Sequence, residues 1–443
     1  MNDYINDALN EKINRINDND NKYECGRVIR VTNFIIEVTG FENLSFFEQV
    51  CIENYGIGYV NSILENSVII AVLKTEKKIQ VGDRVYSTGE SLKSYFSNQF
   101  IGRMIDMFGT DLYTGKTFED AIKINIENKP VSIMDRGRVE RPFETGIAGI
   151  DLIYPIGKGQ RQLIVGDKQT GKTQMCLDAI ANQIDKQVIC IYVAIGKTKK
   201  EVKNIYQELQ KRGALAYTML VCAFNDDNPP VISLTPYVAL SIAEGFMLNK
   251  YDVLVVIDDL KRHAEAYREI SLVSGKTPGR DAYPADIFYT HSRLLEKGCQ
   301  HKDGGSITIL PIVETKGEDM TDYITTNIIS ITDGQICLSS KLFAKGFKPA
   351  IDYGLSVSRL GGAVQSEDIK KLGASVRLKL LSYLETQDVY QFANLDEMSE
   401  NLRQKIEEGK HILDLLNQYK FSPKSKEEII NDFKFVLEGN NES

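Results

Sequence analysis

Hydrophobic positions change their period along this chain, and each change marks a new kind of element. In the first segment Ile5, Leu9, Ile13 and Ile16 recur at helical spacing among Asn, Asp and Glu, which predicts an amphipathic arm over residues 1–22. An isolated helix of that length is marginal in water, so the arm either docks on a partner or frays. From residue 23 to 89 the pattern turns to short Val- and Ile-rich runs, 28–38, 67–73 and 83–87, separated by Gly and Asn turns. Strands so few cannot build two full sheets, and a compact closed β-barrel is predicted. Between residues 90 and 364 apolar strand candidates alternate with helical patterns: Gln162–Val165, Val188–Ala194, Thr218–Ala223, Val253–Ile257, Ser306–Ile312 and Ile328–Ile331. Alternation of this kind predicts a mostly parallel sheet flanked by helices, with ligands at the carboxyl ends of its strands. After Gly361-Gly362 the period is helical to the end, over 376–384, 398–416 and 429–437, and the last stretch opens with the capping-box pattern Ser425-Lys426-Glu427-Glu428.

The predicted architecture is multidomain α/β: an arm (1–22), an N-terminal β-barrel (23–89), a central domain with a mostly parallel sheet (90–364) and a C-terminal helical domain (365–443). At 443 residues and 42% hydrophobic content the chain can fill several cores. A net charge of −8 argues against a broad nucleic-acid face, so no nucleic-acid partner is expected. No run reads as a membrane span, and Met1-Asn2-Asp3-Tyr4 lacks the basic-then-apolar start of a signal peptide, so membrane association is expected only through partners. Seven scattered cysteines without C-x-x-C spacing read as reduced, buried thiols of a cytoplasmic protein, and four histidines show no ligand spacing.

The chemistry begins at Gly166-Asp167-Lys168-Gln169-Thr170-Gly171-Lys172-Thr173, entered from Leu163-Ile164-Val165, which has the form G-x-x-x-x-G-K-[ST]. Glycines let successive N–H groups curl around phosphate oxygens, Lys172 reaches the outer phosphates, and the Thr173 hydroxyl completes a magnesium shell. A helix from Gln174 to Gln183 adds its N-terminal dipole to that anion site. ATP or ADP with magnesium is the expected ligand. Downstream, Val253-Leu254-Val255-Val256-Ile257 delivers Asp258-Asp259. A strand ending in a carboxylate beside a phosphate loop holds magnesium through water, which makes Asp258 the metal-side candidate; an Asp after a core strand also serves as a helix N-cap.

These residues resemble the alpha subunit of the F-type ATP synthase catalytic head. The resemblance spans nearly the whole chain and is carried by Thr145-Gly146-Ile147, Pro155-Ile156-Gly157-Lys158-Gly159-Gln160-Arg161 through Thr173, Cys190 to Gly196, Pro278 to Pro284, His291 to Glu296, and Gly354 to Arg359. Asp-Lys-Gln-Thr between the loop glycines looks like the alpha type. The resemblance implies a barrel, a RecA-like nucleotide domain and a helical domain, in a hexamer alternating with catalytic beta-type subunits around a central gamma-type shaft. It also implies an alpha site that binds magnesium nucleotide without turnover. Hydrolysis requires a carboxylate to polarise the attacking water, and where the catalytic subunit carries Glu this chain has Lys197, which only donates. Glu201 and Asp259 are the carboxylates that could substitute.

By the same resemblance Arg359 matches an arginine finger reaching the neighbouring beta-type site, whereas taken alone it reads as an arginine paired within its own domain. Adenine-side contacts fall on Phe343, Lys348, Pro349 and Gln418. Lys348 and Lys420 depart from the family, which usually has Arg and a second Gln there, and a lysine does not stack as a guanidinium does. Thr277–Asp286 resembles the bearing surface around the shaft, although Ser274-Gly275-Lys276 replaces an arginine pair. The chain also stops soon after Phe421-Ser422-Pro423, where the family continues. The expected role is thus a non-catalytic nucleotide-binding subunit, peripheral to a membrane, with the arm on a stalk partner. The alternatives are the alpha-like subunit of a specialised motor head that drives other work, a self-sufficient hexameric ATPase or helicase, and a structural subunit with an empty site.

Overall fold

The computed structural model describes residues 24–53, 55–390 and 400–438, and the predicted N-terminal arm lies outside them. The described residues fall into two compact units, one drawn from Met1–Pro130, Ile191–Gly245 and Asp259–Leu294, the other from Val131–Cys190, Phe246–Asp258 and Leu295–Ser443.

The first unit begins with six strands, β1 (Cys25–Thr32), β2 (Ile35–Thr39), β3 (Glu48–Ile52), β4 (Gly56–Ile63), β5 (Val68–Thr75) and β6 (Arg84–Ser91). They close in the order β1-β2-β5-β4-β3-β6, as the sequence predicts for a barrel. Closure leaves no unpaired edge to attract another chain. Apolar side chains fill the interior: Val28, Ile36, Val38, Val50, Ile70 and Val85 form one cluster, and on β1 the neighbours of Val28 are exposed. The apolar run 28–38 is not one strand but a hairpin, because Asn33 takes φ 49°, a left-handed conformation that Asn tolerates in turns. At Gly58 the sheet closes tightly, and a Cβ there would meet the Ala71 carbonyl at 2.8 Å.

Among the strands that follow are β7 (Met104–Ile105), β8 (Leu163–Asp167), β9 (Val188–Lys197), β10 (Thr218–Phe224), β11 (Asp252–Asp258), β12 (Ser306–Thr315), β13 (Gly334–Leu338) and β14 (Val357–Ser358). In the second unit they lie in the order β14-β13-β8-β12-β11, parallel except for β14, and in the first in the order β9-β10-β7. The associated helices are α1 (Lys172–Ala181), α2 (Lys199–Lys211), α3 (Pro229–Leu248), α4 (Leu260–Val273), α5 (Ile287–Leu295), α6 (Tyr323–Ile331) and α7 (Ser340–Ala344). The second unit ends in α8 (Glu367–Tyr390), α9 (Glu400–Leu416), α10 (Lys426–Phe433) and α11 (Phe435–Glu438). The Ser425–Glu428 capping box forms reciprocally, and α10 buries Ile429 and Phe433.

Three expectations are corrected. Ile328–Ile331 ends a helix rather than forming a strand, since Asp322 caps α6 by accepting from the Thr325 N–H, and the strand is the next segment, Gly334–Leu338. A four-residue β-branched run satisfies either reading, and the upstream cap decides it. α3 is, against expectation, long and apolar enough to cross a membrane, with mean hydropathy 1.6, but 83% of its apolar window is buried in the fold. It is thus built as a core helix. Cys25 is exposed on the barrel, whereas the other six cysteines are buried.

Candidate functional site

β8 is buried because parallel neighbours flank it on both sides, with Ile164 opposite Ile312 on β12 and Ile336 on β13. One residue before its end, at Gly166, a Cβ would meet the Leu338 carbonyl at 2.7 Å, so only glycine fits where strand gives way to loop. The loop then takes left-handed conformations at Gln169 (φ 65°) and Gly171 (φ 99°). Gly171 is the N-cap of α1 and supplies no side-chain acceptor. A helix start of this kind leaves its N–H groups for an anion.

Lys172, only 7% exposed, folds back so that Nζ donates to the carbonyls of Gly166 (2.8 Å) and Asp167 (2.5 Å). Its charge is thereby held over the loop. Thr170 Oγ1 donates to the Asp167 carbonyl at 2.8 Å and closes the turn, while Lys168 and Gln169 face solvent. The Asp167 carboxylate points to structure rather than ligand, accepting from Thr315 Oγ1 (2.7 Å) and the Glu318 N–H (2.9 Å). Burial works to raise its pKa, yet the Glu318 N–H and the Thr315 and Ser340 hydroxyls outweigh it and hold the carboxyl below its ordinary value.

Of the two readings weighed for Asp258, the helix N-cap falls to its neighbour. Asp259 caps α4, its carboxylate accepting from the Arg262 N–H at 2.8 Å. Asp258, 2% exposed, instead accepts from Thr173 Oγ1 at 2.6 Å. A hydroxyl and a carboxylate converging beside a phosphate loop offer hard oxygen donors and leave the remaining positions of an octahedron to phosphate and water, which fits magnesium.

Phe343, Lys348, Pro349 and Gln418 come together in the second unit, brought there by α7, the loop after it and the segment following α9. Lys348 Nζ stands 5.5 Å from the centroid of the Phe343 ring. The Lys348 N–H donates to Asn417 Oδ1 (3.0 Å), and its carbonyl accepts from the Gln418 N–H (2.6 Å). The Gln418 amide is already in use: Oε1 accepts from the Ala148 N–H (3.1 Å), and Nε2 donates to the carbonyls of Gly146 and Ser422, both at 2.6 Å. Phe421 N–H donates to Asp178 Oδ1 on α1 at 2.9 Å. The segment 417–424 is therefore a strap fastened to the loop of Lys348, to the Gly146 turn and to the helix of the phosphate loop. Sequence reading missed Asn417 and Asp178, because hydrogen bonds between distant loops leave no local pattern.

Arg359, exposed, follows the edge strand β14. Its Nη2 donates to the Ile329 carbonyl at 3.3 Å, and among the described residues it makes no ion pair. Lys197 ends β9. Glu201 forms a capping box on α2, accepting from the Thr198 N–H (2.9 Å) and hydroxyl (2.7 Å). In Thr277–Asp286, Asp281 and Ala282 take positive φ, and Lys276 Nζ lies 3.8 Å from Asp286 Oδ2.

Residues 146–358 match the model of the ATP synthase alpha/beta family, nucleotide-binding domain. The chain is 44% identical over 423 residues to the ATP synthase subunit alpha of Neorickettsia sennetsu, covering 93% of this chain and 82% of that protein. It is 40% identical over 430 residues to the ATP synthase subunit alpha of Mycoplasma genitalium, covering 95% and 83%.

Proposed function

The chain belongs to the ATP synthase alpha subunit family, and within it we propose a non-catalytic, magnesium-nucleotide-binding subunit that lends Arg359 to the active site of a catalytic beta-type partner. The observation that carries the non-catalytic reading is what occupies the candidate base positions. By the resemblance Lys197 takes the place of the catalytic subunit's carboxylate, and Glu201 and Asp259 are committed to the N-termini of α2 and α4. A carboxylate fixed to backbone N–H groups is not placed to take a proton from water.

Nucleotide would be held by Gly166 to Thr173, with Lys172 on the outer phosphates and Thr173 and Asp258 on magnesium. When bound, magnesium neutralises phosphate charge. Phe343, Lys348 and Pro349 would face the base. The finger reading is supported by an exposed guanidinium free of ion pairs among the described residues. In trans it would stabilise the transferring phosphoryl group, an effect on the order of 10³–10⁵ in rate in related chemistry. The Thr277–Asp286 loop would bear on a shaft subunit and the arm on a stalk, placing the head at a membrane periphery.

The test is steady-state ATPase of the purified chain alone and after assembly with its beta-type partner, beside nucleotide binding. Binding without turnover alone, with turnover in the complex that collapses in Arg359→Ala, is expected. Robust turnover by the isolated chain would overturn the non-catalytic reading.

A further inference from the structure

Arg359 directly follows a two-residue edge strand that pairs with β13 only through Gly334–Ser358 and Gln335–Val357. Strands that short do not hold a side chain to catalytic precision by pairing alone. What holds this one is the stretch just before β8. The Arg161 guanidinium grips Asp333 as a fork, Nη2 to Oδ1 at 2.8 Å and Nε to Oδ2 at 3.0 Å, and the Arg161 N–H adds a bond to Oδ2 at 3.0 Å. Backbone bonds complete the joint: the Asp333 N–H donates to the Arg161 carbonyl (2.8 Å), and the Asp333 carbonyl accepts the N–H of Arg359 itself (2.9 Å).

A second mount lies beside it. Gln160 and Gln162 are both fully buried, and their amides form a chain: Gln160 Oε1 accepts from the Gly157 N–H (2.8 Å), Gln160 Nε2 donates to Gln162 Oε1 (2.9 Å), and Gln162 Nε2 donates to the Val357 carbonyl (3.1 Å). Buried amides satisfied in series are rigid, because any displacement leaves one of them without a partner in a dry interior.

We propose that the Arg161–Asp333 fork and the Gln160–Gln162 amide chain are positioning residues for Arg359, and that they mount the finger on the strand that carries this chain's own phosphate loop. The proposal rests on the finger reading of Arg359. Gln162 immediately precedes β8, whose five residues run about 16 Å to the loop. The neighbour's transition-state contact and this chain's own nucleotide site thus share one strand, with the loop at its carboxyl end and the finger mount at its amino end.

The test uses the assembled complex with Asp333→Asn, Gln162→Leu and Arg359→Ala, singly and combined. Asp333→Asn keeps the shape but breaks the charged fork, and Gln162→Leu leaves the Val357 carbonyl without its amide donor. Each is expected to lower kcat about 10–100-fold with KM for ATP changed less than about threefold, the signature of a misplaced transition-state group. In the Arg359→Ala background neither should lower kcat further, because both act through that side chain. Normal turnover in both single variants beside a collapsed Arg359→Ala would overturn the positioning role and leave the finger standing. Equal additional losses in the Arg359→Ala background would show an effect by another route and also overturn it. Unchanged turnover in Arg359→Ala would remove the finger reading and the mount with it. Should Asp333→Asn not assemble, Gln162→Leu, which leaves the fork intact, decides the matter.

Discussion

The phosphate side and the base side of the candidate nucleotide site are built in opposite ways. The phosphate side is one contiguous stretch, Gly166 to Thr173, whose lysine, glycines and hydroxyl act within a single turn of backbone. Only Asp258 comes from elsewhere, delivered by a strand in the same layer. The base side is assembled from segments remote in sequence: the Gly146 turn, the Lys348 loop and the strap around Gln418. A contiguous loop inherits its shape from local backbone preferences, whereas a composite surface exists only once the C-terminal helices have docked. Substitutions on the phosphate side should therefore act on the ligand, and those on the base side on both ligand and fold.

The sharpest test of that contrast is Lys172→Ala. It removes the charge held over the loop and should weaken nucleotide binding to this chain by at least about 100-fold with little change in Tm, while an assembled complex keeps part of its turnover. Complete loss of turnover would instead place catalysis at this site. Asp258→Asn comes next. Because it removes the metal-side charge but not the shape, titration with magnesium should show affinity for the magnesium nucleotide falling about tenfold, with metal-free binding hardly altered. A loss equal in both conditions would make Asp258 structural.

Gln418→Leu probes the other side. It deletes three hydrogen bonds that hold the strap, at about 1 kcal/mol net each, and should lower the melting temperature and weaken ATP and GTP alike. A selective loss of ATP would mean that the amide reads the base and not the strap. The smallest effect is expected from Lys348→Arg, which offers a planar cation over the Phe343 ring and should tighten adenine nucleotide by about twofold to fivefold. Equal tightening of ATP and free pyrophosphate would count against a base contact at that position.

Much of the architecture was legible before any coordinates, and the reason differs from element to element. The barrel followed from Val and Ile alternation, and α10 from its capping box, since both signals lie within a few residues of the elements they specify. Ile328–Ile331 misled because a short β-branched run carries no period of its own, and the deciding Asp322 lies outside it. α3 carries no clear apolar run in the sequence because Ser, Thr and Pro interrupt it, and the fold nevertheless buries it.

By itself the sequence determined a phosphate loop and a carboxylate at the end of a strand, local facts encoded by residue type and spacing, while Lys197 and Arg359 gained their meaning only from the resemblance to a family. Only the tertiary structure decided what each group is free to do. It turned Asp258 to Thr173 and Asp259 to a helix cap, committed Glu201 to a capping box, engaged the Gln418 amide with backbone and tied Arg359 by its N–H to Asp333, which Arg161 grips. A side chain's availability is set by what else has already bonded it, and those partners are chosen by packing between segments far apart in the chain.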